Sequence, residues 1–174
     1  MVAREVRQTD YQARRLTIPV DAPFDEFRRR YEAAVPVLDI EGIAAMVQRR
    51  ASWSEVIESA SRQGPYDFFR FWSLDAQPLM SLAGPDASCV EYLMGNHTIA
   101  ERMFRHDPTV LAYVPLHLAI ADDGDGTVFS IDQPSRTLGS YRRPGITSVG
   151  IDLDHKLGRL LQALDVPVPP VLTS

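Results

Sequence analysis

The chain has 174 residues, 45% of them hydrophobic and 24% charged, which is ordinary globular composition and enough length for one domain to hide roughly 70% of its unfolded surface. A formal charge of −5 argues against a nucleic-acid partner, whose phosphates would need a basic face. The single cysteine, Cys89, excludes an internal disulfide and a multi-cysteine zinc site and reads as a small buried strand residue.

The opening segment carries Arg4, Glu5 and Arg7 with no apolar run behind it, so a secretory signal is not expected. No stretch approaches the roughly 18 apolar residues of a membrane span, and a cytoplasmic protein with no membrane association is the expectation. After a polar arm (1–11), residues 14–20 alternate as a first strand, with Pro19 placing its end at a sheet edge. Asp21 reads as an N-cap, Pro23 falls in the first helical turn, and Phe24, Phe27, Tyr31 and Ala34 share one helical face. The run Arg28-Arg29-Arg30 is that helix's solvated side, and Pro36 stops it. Two further helices are predicted over 39–50 and 52–63. The second opens on Ser52 with Glu55 three residues on, a capping-box arrangement, and ends at Gly64-Pro65.

From Tyr66 the period changes. Three short runs, DFFRFWSLD, PLMSLAG and SCVEYLMGN, read as a three-strand meander. Alternation in the first run puts Phe69 and Phe71 on one face and Phe68, Arg70, Trp72 and Leu74 on the other. Both faces then carry large apolar groups, so something has to cover the second: the extra helices, a partner subunit or an apolar ligand. Asn96 caps a short helix with Ile99, Met103 and Phe104 turned inward, and Asp107-Pro108 closes it. Residues 110–121 and 127–132 form a hairpin across the acidic turn 122–126, with Pro115 marking a bulge or a late start. A last helix over 148–164 aligns Leu153, Leu157, Leu160, Leu161 and Leu164, and residues 165–174 form a proline-rich, extended tail. The whole reads as a single α+β domain, an antiparallel meander with helices packed on it.

No metal or cofactor is expected. His97 and His106 lie nine residues apart, on opposite sides of a helix, and cannot share an ion. The acidic turn aligns Asp123, Asp125 and Gly126 with calcium-loop positions, but Ala121 would occupy the first ligand position. Gly124-Asp125-Gly126 starts a dinucleotide-type string, yet Phe129 holds the place of its last glycine.

Gly95-Asn96, Ala100-Glu101-Arg102-Met103, Arg105-His106-Asp107-Pro108, Pro115-Leu116 and the acidic turn, in that order, resemble the bacterial domain of unknown function 302 family over about residues 79–164. The resemblance implies a TATA-binding-protein-like β-α-β(4)-α core, here with extra helices inserted after the first helix, and a domain often paired as a homodimer. It brings no activity with it. Against that pattern, His97 stands where proline usually follows Gly-Asn, and His117 stands where Pro-Leu is usually followed by arginine or another residue. Both introduce a side chain that titrates near neutral pH.

Three functional readings stay open. In the first, Arg70, Trp72, Met94, Asn96 and Tyr113 line a pocket for a small apolar or aromatic molecule on the second face of the sheet, with Tyr92 and His117 in it and Glu91 turned away. In the second, a cofactor-independent cyclase, isomerase or hydrolase uses His117 or His97 as general acid or base. Tyr92 or Glu91 then assists, and Arg70 holds developing negative charge. In the third, the second face is the interface of a structural or regulatory homodimer.

Overall fold

The computed structural model of the chain describes residues 5–84, 86–122 and 124–174. Five antiparallel strands form one sheet: β1 (Arg15–Val20), β2 (Phe69–Asp75), β3 (Cys89–Gly95), β4 (Leu116–Asp122) and β5 (Thr127–Asp132), in the order β1-β5-β4-β3-β2. The helices are α1 (Phe24–Ala34), α2 (Ile40–Gln48), α3 (Trp53–Gln63), the single turn α4 (Gln77–Met80), α5 (His97–Phe104), α6 (Pro134–Gly139) and α7 (Pro144–Ala163). The protein is therefore α+β, with α2 and α3 inserted after the first helix.

One sheet face makes the core. Strict alternation buries Leu16, Ile18 and Val20 of β1, and the register places Ile18 beside Phe129, Phe129 beside Ile120 and Ile120 beside Val90. From α1, Phe27 and Tyr31 pack onto it, the Tyr31 ring 4.8 Å from Tyr92 and the Phe27 ring 6.4 Å from Phe129. The α7 stripe Leu153, Leu157, Leu160 and Leu161 is buried in the same cluster. Full burial of each such side chain stabilises by about 1.5–3 kcal/mol. In contrast, α2 buries no residue and α3 buries only Ala60.

The inserted pair is held by local chemistry. Asp39 caps α2 by accepting from the Gly42 amide at 2.8 Å, and Ser52 and Glu55 form the expected capping box on α3. At α1 the expected cap fails: Pro23 occupies the N-cap position, no side chain caps it, and Asp21 is exposed.

The PLMSLAG run is not a strand. Pro78 starts the α4 turn, a 3-10 turn over 81–83 follows, and Gly84 closes it at φ 113. Leu82 is 84% exposed, so this apolar run has no surface on which to be buried as a strand. The stretch from Val110 begins as a 3-10 turn over 108–112, and pairing starts only at Leu116, after the cis Val114–Pro115 bond. The last helix starts earlier than its leucines indicate, with Pro144 in its first turn. The tail buries Leu172 on the core through a turn at 170–172. The acidic turn is shaped by Gly124 and Gly126 at positive φ, with the Asp122 carboxylate accepting from the Gly124 amide; Asp123, and with it the calcium-loop alignment, lies outside the described residues.

The decisive irregularity sits in β2. The register passes from Arg70 opposite Met94 directly to Trp72 opposite Leu93, leaving Phe71 as a bulge. Arg70 therefore shares the helix-covered face with Met94, while Trp72 shares the opposite face with Leu93. That opposite face runs Trp72, Leu93, His117, Asp132, Arg15 across the sheet, with Leu74, Glu91, Ala119, Ser130 and Thr17 as the next row. Among the described residues no helix covers it: Trp72 is 44% exposed and Leu74 43%.

Candidate functional site

The most apolar cleft lies at one end of the sheet, where β2 begins, β3 ends and β4 begins. A cleft of about 270 Å³ opens there between Phe71, Gly95 and Leu116 of the strands, Ala100, Met103 and Phe104 of α5, Leu111 and Pro115 of the 108–115 connection, and Leu153 of α7. Three local features hold it open. The Phe71 bulge displaces an aromatic ring from the ladder to the cleft wall. Gly95 lets the strands approach the connection, because a Cβ there would stand 3.2 Å from both Cα and Cβ of Pro115. Asn96 pins α5 above the strand ends: its Oδ1 accepts from the Thr98 amide and hydroxyl at 2.9 and 2.8 Å, and its Nδ2 donates to the Asp67 carbonyl at 3.0 Å.

The polar groups on this cleft are few and mostly committed. Asn96 is spent on capping, and Glu101 is bonded by Arg105 through two nitrogens. His97 differs. It follows the cap directly, its ring is 6.0 Å from Phe69, and neither ring nitrogen has a hydrogen-bond partner although both are shielded from solvent. Burial pushes its pKa below the ordinary 6.5, so the imidazole is neutral at pH 7.

A second, more polar depression of about 340 Å³ lies on the open sheet face and shares Pro115 and Leu116 with the first. Tyr11, Leu93, Tyr113, His117 and Asp132 line it, and the Tyr113 ring meets Tyr11 and Tyr141 edge-on at 6.2 and 6.0 Å. His117 Nε2 stands 2.6 Å from Glu91 Oε1, with the His117 side chain 66% exposed.

The candidate residues thus divide among three places. Asn96 and His97 are at the apolar cleft. Tyr113 and His117 share the open-face depression, with Glu91 paired to His117 and Trp72 two strands away. Tyr92, Met94 and Arg70 are inside the helix-covered face: the Tyr92 hydroxyl donates to Glu32 at 2.8 Å, and Arg70 Nε donates to the Val35 carbonyl at 2.8 Å. The single pocket expected from unbroken alternation is therefore not formed, because the bulge sends Arg70 and Trp72 to opposite faces and the register puts His117 opposite Leu93 instead of among Tyr92 and Met94. Phe71, Leu111 and Leu153 line the cleft without having been singled out. The Gly95-Asn96 pair, a close approach followed by a cap, is the sequence signal that points to it.

Chemically, the cleft offers apolar walls, and the His97 imidazole borders it with both nitrogens shielded and no carboxylate bonded to either. The His117–Glu91 pair has the converse character, oriented but exposed. Among the described residues no three His, Cys, Asp or Glu side chains are grouped to hold a metal ion, and no helix is long and apolar enough to cross a membrane.

Comparison with known proteins gives a consistent family and fold. The family model "Domain of unknown function DUF302" matches residues 46–164. A crystal structure of an uncharacterized conserved DUF302 protein from Bacillus stearothermophilus is similar at TM-score 0.62 and 14% identity, over 86% of this chain and 97% of that one. No curated protein matches the chain.

Proposed function

The chain belongs to the DUF302 family, and from that premise we propose that it is a small-molecule-binding domain whose ligand is apolar and occupies the cleft at the sheet end beneath α5. One observation carries this reading: the cleft of about 270 Å³ at the sheet end has almost wholly apolar walls, as small-molecule sites do. Its volume is a little below the roughly 300–1,000 Å³ of drug-sized sites, which suits a single substituted ring or a short branched chain. Butylbenzene is a fitting probe. Its titration into methyl-labelled protein is expected to give saturable shifts at Ile99, Met103, Leu111, Leu116 and Leu153, and Ala100→Trp, which fills the cleft, is expected to abolish them. Shifts confined to the open sheet face, or none that saturate, would refute the reading.

A second reading is favoured by the open face itself. Trp72, Leu74 and Leu93 form an apolar strip there, and the carboxylates beside it already have partners within the chain, Glu91 the His117 ring at 2.6 Å and Asp132 the Arg15 guanidinium at 3.9 Å. A second copy of the chain suits such a face, because it meets apolar surface without stranding a charge. Light scattering on wild type and Trp72→Lys tests it: the expected result is a dimer converted to a monomer, and a wild-type monomer would end it. Histidine acid–base chemistry has less support, since His97 and His117 line different depressions.

A further inference from the structure

We infer that the depression on the open sheet face is a second binding site, separate from the apolar cleft, and that it takes a small organic ammonium ion. Asp132 meets the charge, and Tyr11 and Tyr113 flank the ligand. At about 340 Å³ the depression falls within the range of ordinary small-molecule sites. Leu93, Pro115 and Leu138 supply its apolar surface. The Tyr11 and Tyr113 rings stand at right angles, 89° between planes and 6.2 Å between centroids. A tyrosine ring is a favourable neighbour for a cation, which its electron-rich face attracts. The Tyr11 hydroxyl stays protonated, its pKa raised by its contact with Tyr113, by burial and by neighbouring charges that include Asp132. Both rings and the carboxylate therefore lie within electrostatic reach of one another.

The charges on the walls decide the sign of the ligand. Asp132 is the one carboxylate lining the depression, and no arginine or lysine lines it. His117 is already committed, with its Nε2 2.6 Å from Glu91. Arg15, the guanidinium paired with Asp132, stands 3.9 Å from its Oδ1, too far for a hydrogen bond, on a side chain that is 75% exposed. Such a pair is worth little and yields readily to a competitor. An ionised carboxylate accepts several hydrogen bonds, and a phenolic oxygen accepts as well, so the N–H groups of an ammonium find acceptors on Asp132 and on the two tyrosines. An anion would meet Asp132 with no cation on the walls to offset the repulsion. A neutral molecule would leave the carboxylate no better paired than water does.

Phenethylammonium, 2-phenylethanol and 3-phenylpropionate carry the same ring on the same two-carbon chain and differ in the charge of the head. Each is titrated into labelled protein at pH 7 and low salt. Phenethylammonium is expected to give saturable shifts at the Leu93 and Leu138 methyls and the Tyr113 ring, and to bind about three- to tenfold more tightly than the alcohol. Phenylpropionate should give no saturable shift there. Asp132→Asn, which keeps the shape and removes the charge, is expected to bring the ammonium down to the level of the alcohol. Arg15→Gln, which removes the competing guanidinium, is expected to tighten it about twofold. Equal binding of the ammonium and the alcohol, no saturable binding of the ammonium, or an ammonium affinity unmoved by Asp132→Asn would overturn the inference. So would ammonium shifts at Met103 and Leu153, which would place the ligand in the cleft instead.

Discussion

Asp154→Ala probes the joint that sets the floor of the cleft. Asp154 is 4% exposed on α7, next to cleft-lining Leu153, and its carboxylate accepts from the Ser135 amide at 2.9 Å, the Ser135 hydroxyl at 2.5 Å and Gln133 Nε2 at 2.6 Å. Gln133, the N-cap residue of α6, makes no side-chain cap bond, so a carboxylate from another helix caps α6. Truncation leaves unequal losses. Gln133 and the Ser135 hydroxyl already lie 3.0 Å apart and re-pair with each other, but the Ser135 amide is stranded, at about 1–3 kcal/mol. Losing a negative charge at a helix N-terminus adds about 0.3–1 kcal/mol. Release of a buried carboxylate from its desolvation penalty offsets part of this. The net expectation is a loss of about 2–3 kcal/mol, or roughly 5–10 °C in Tm for a chain of this length. Urea unfolding at pH 7 measures it, with an unchanged m-value showing that stability alone has moved. A loss under about 0.5 kcal/mol would mean the carboxylate is not the cap of α6.

Three further expectations are smaller. Because burial lowers the His97 pKa in the folded state, the unfolded chain takes up that proton first as pH falls; the stability is full above the unfolded value near 6.5 and is lost as pH drops through the folded one. Wild type should therefore lose stability relative to His97→Gln on going from neutral to mildly acid pH, and parallel urea midpoints would contradict this. Tyr92→Phe removes the bond to Glu32 and is expected to cost about 0.5–1.5 kcal/mol in thermal or urea unfolding. A double-mutant cycle on His117 and Glu91, both partly exposed, should give a coupling of at most about 1 kcal/mol, and a much larger value would reveal a buried, organised pair.

The parts of the fold legible in the sequence are those where burial imposes a period. β1 alternates because one face meets α1 and the core, and the leucines of α7 recur because one stripe meets the sheet. PLMSLAG misleads for the complementary reason: hydrophobic composition marks a strand only where another surface exists to receive it, and Leu79, Met80 and Leu82 have none. The bulge at Phe71 is invisible to alternation, which assumes that every residue is paired, and that one unpaired residue relocates the whole candidate site. Asn96 and His97 are found from the cap and from the departure from the family pattern. Phe71, Leu111 and Leu153 are brought to the same cleft by three separate segments, a convergence no local pattern encodes.

The inserted helices have a consequence for cohesion. A nine-residue α2 with no buried side chain, joined to an α3 that buries only Ala60, falls short of the roughly 12–15 residues at which a helix persists unaided. Its integrity comes from its caps and its neighbours, and amide exchange in this segment is expected to be faster than in the central strands of the sheet.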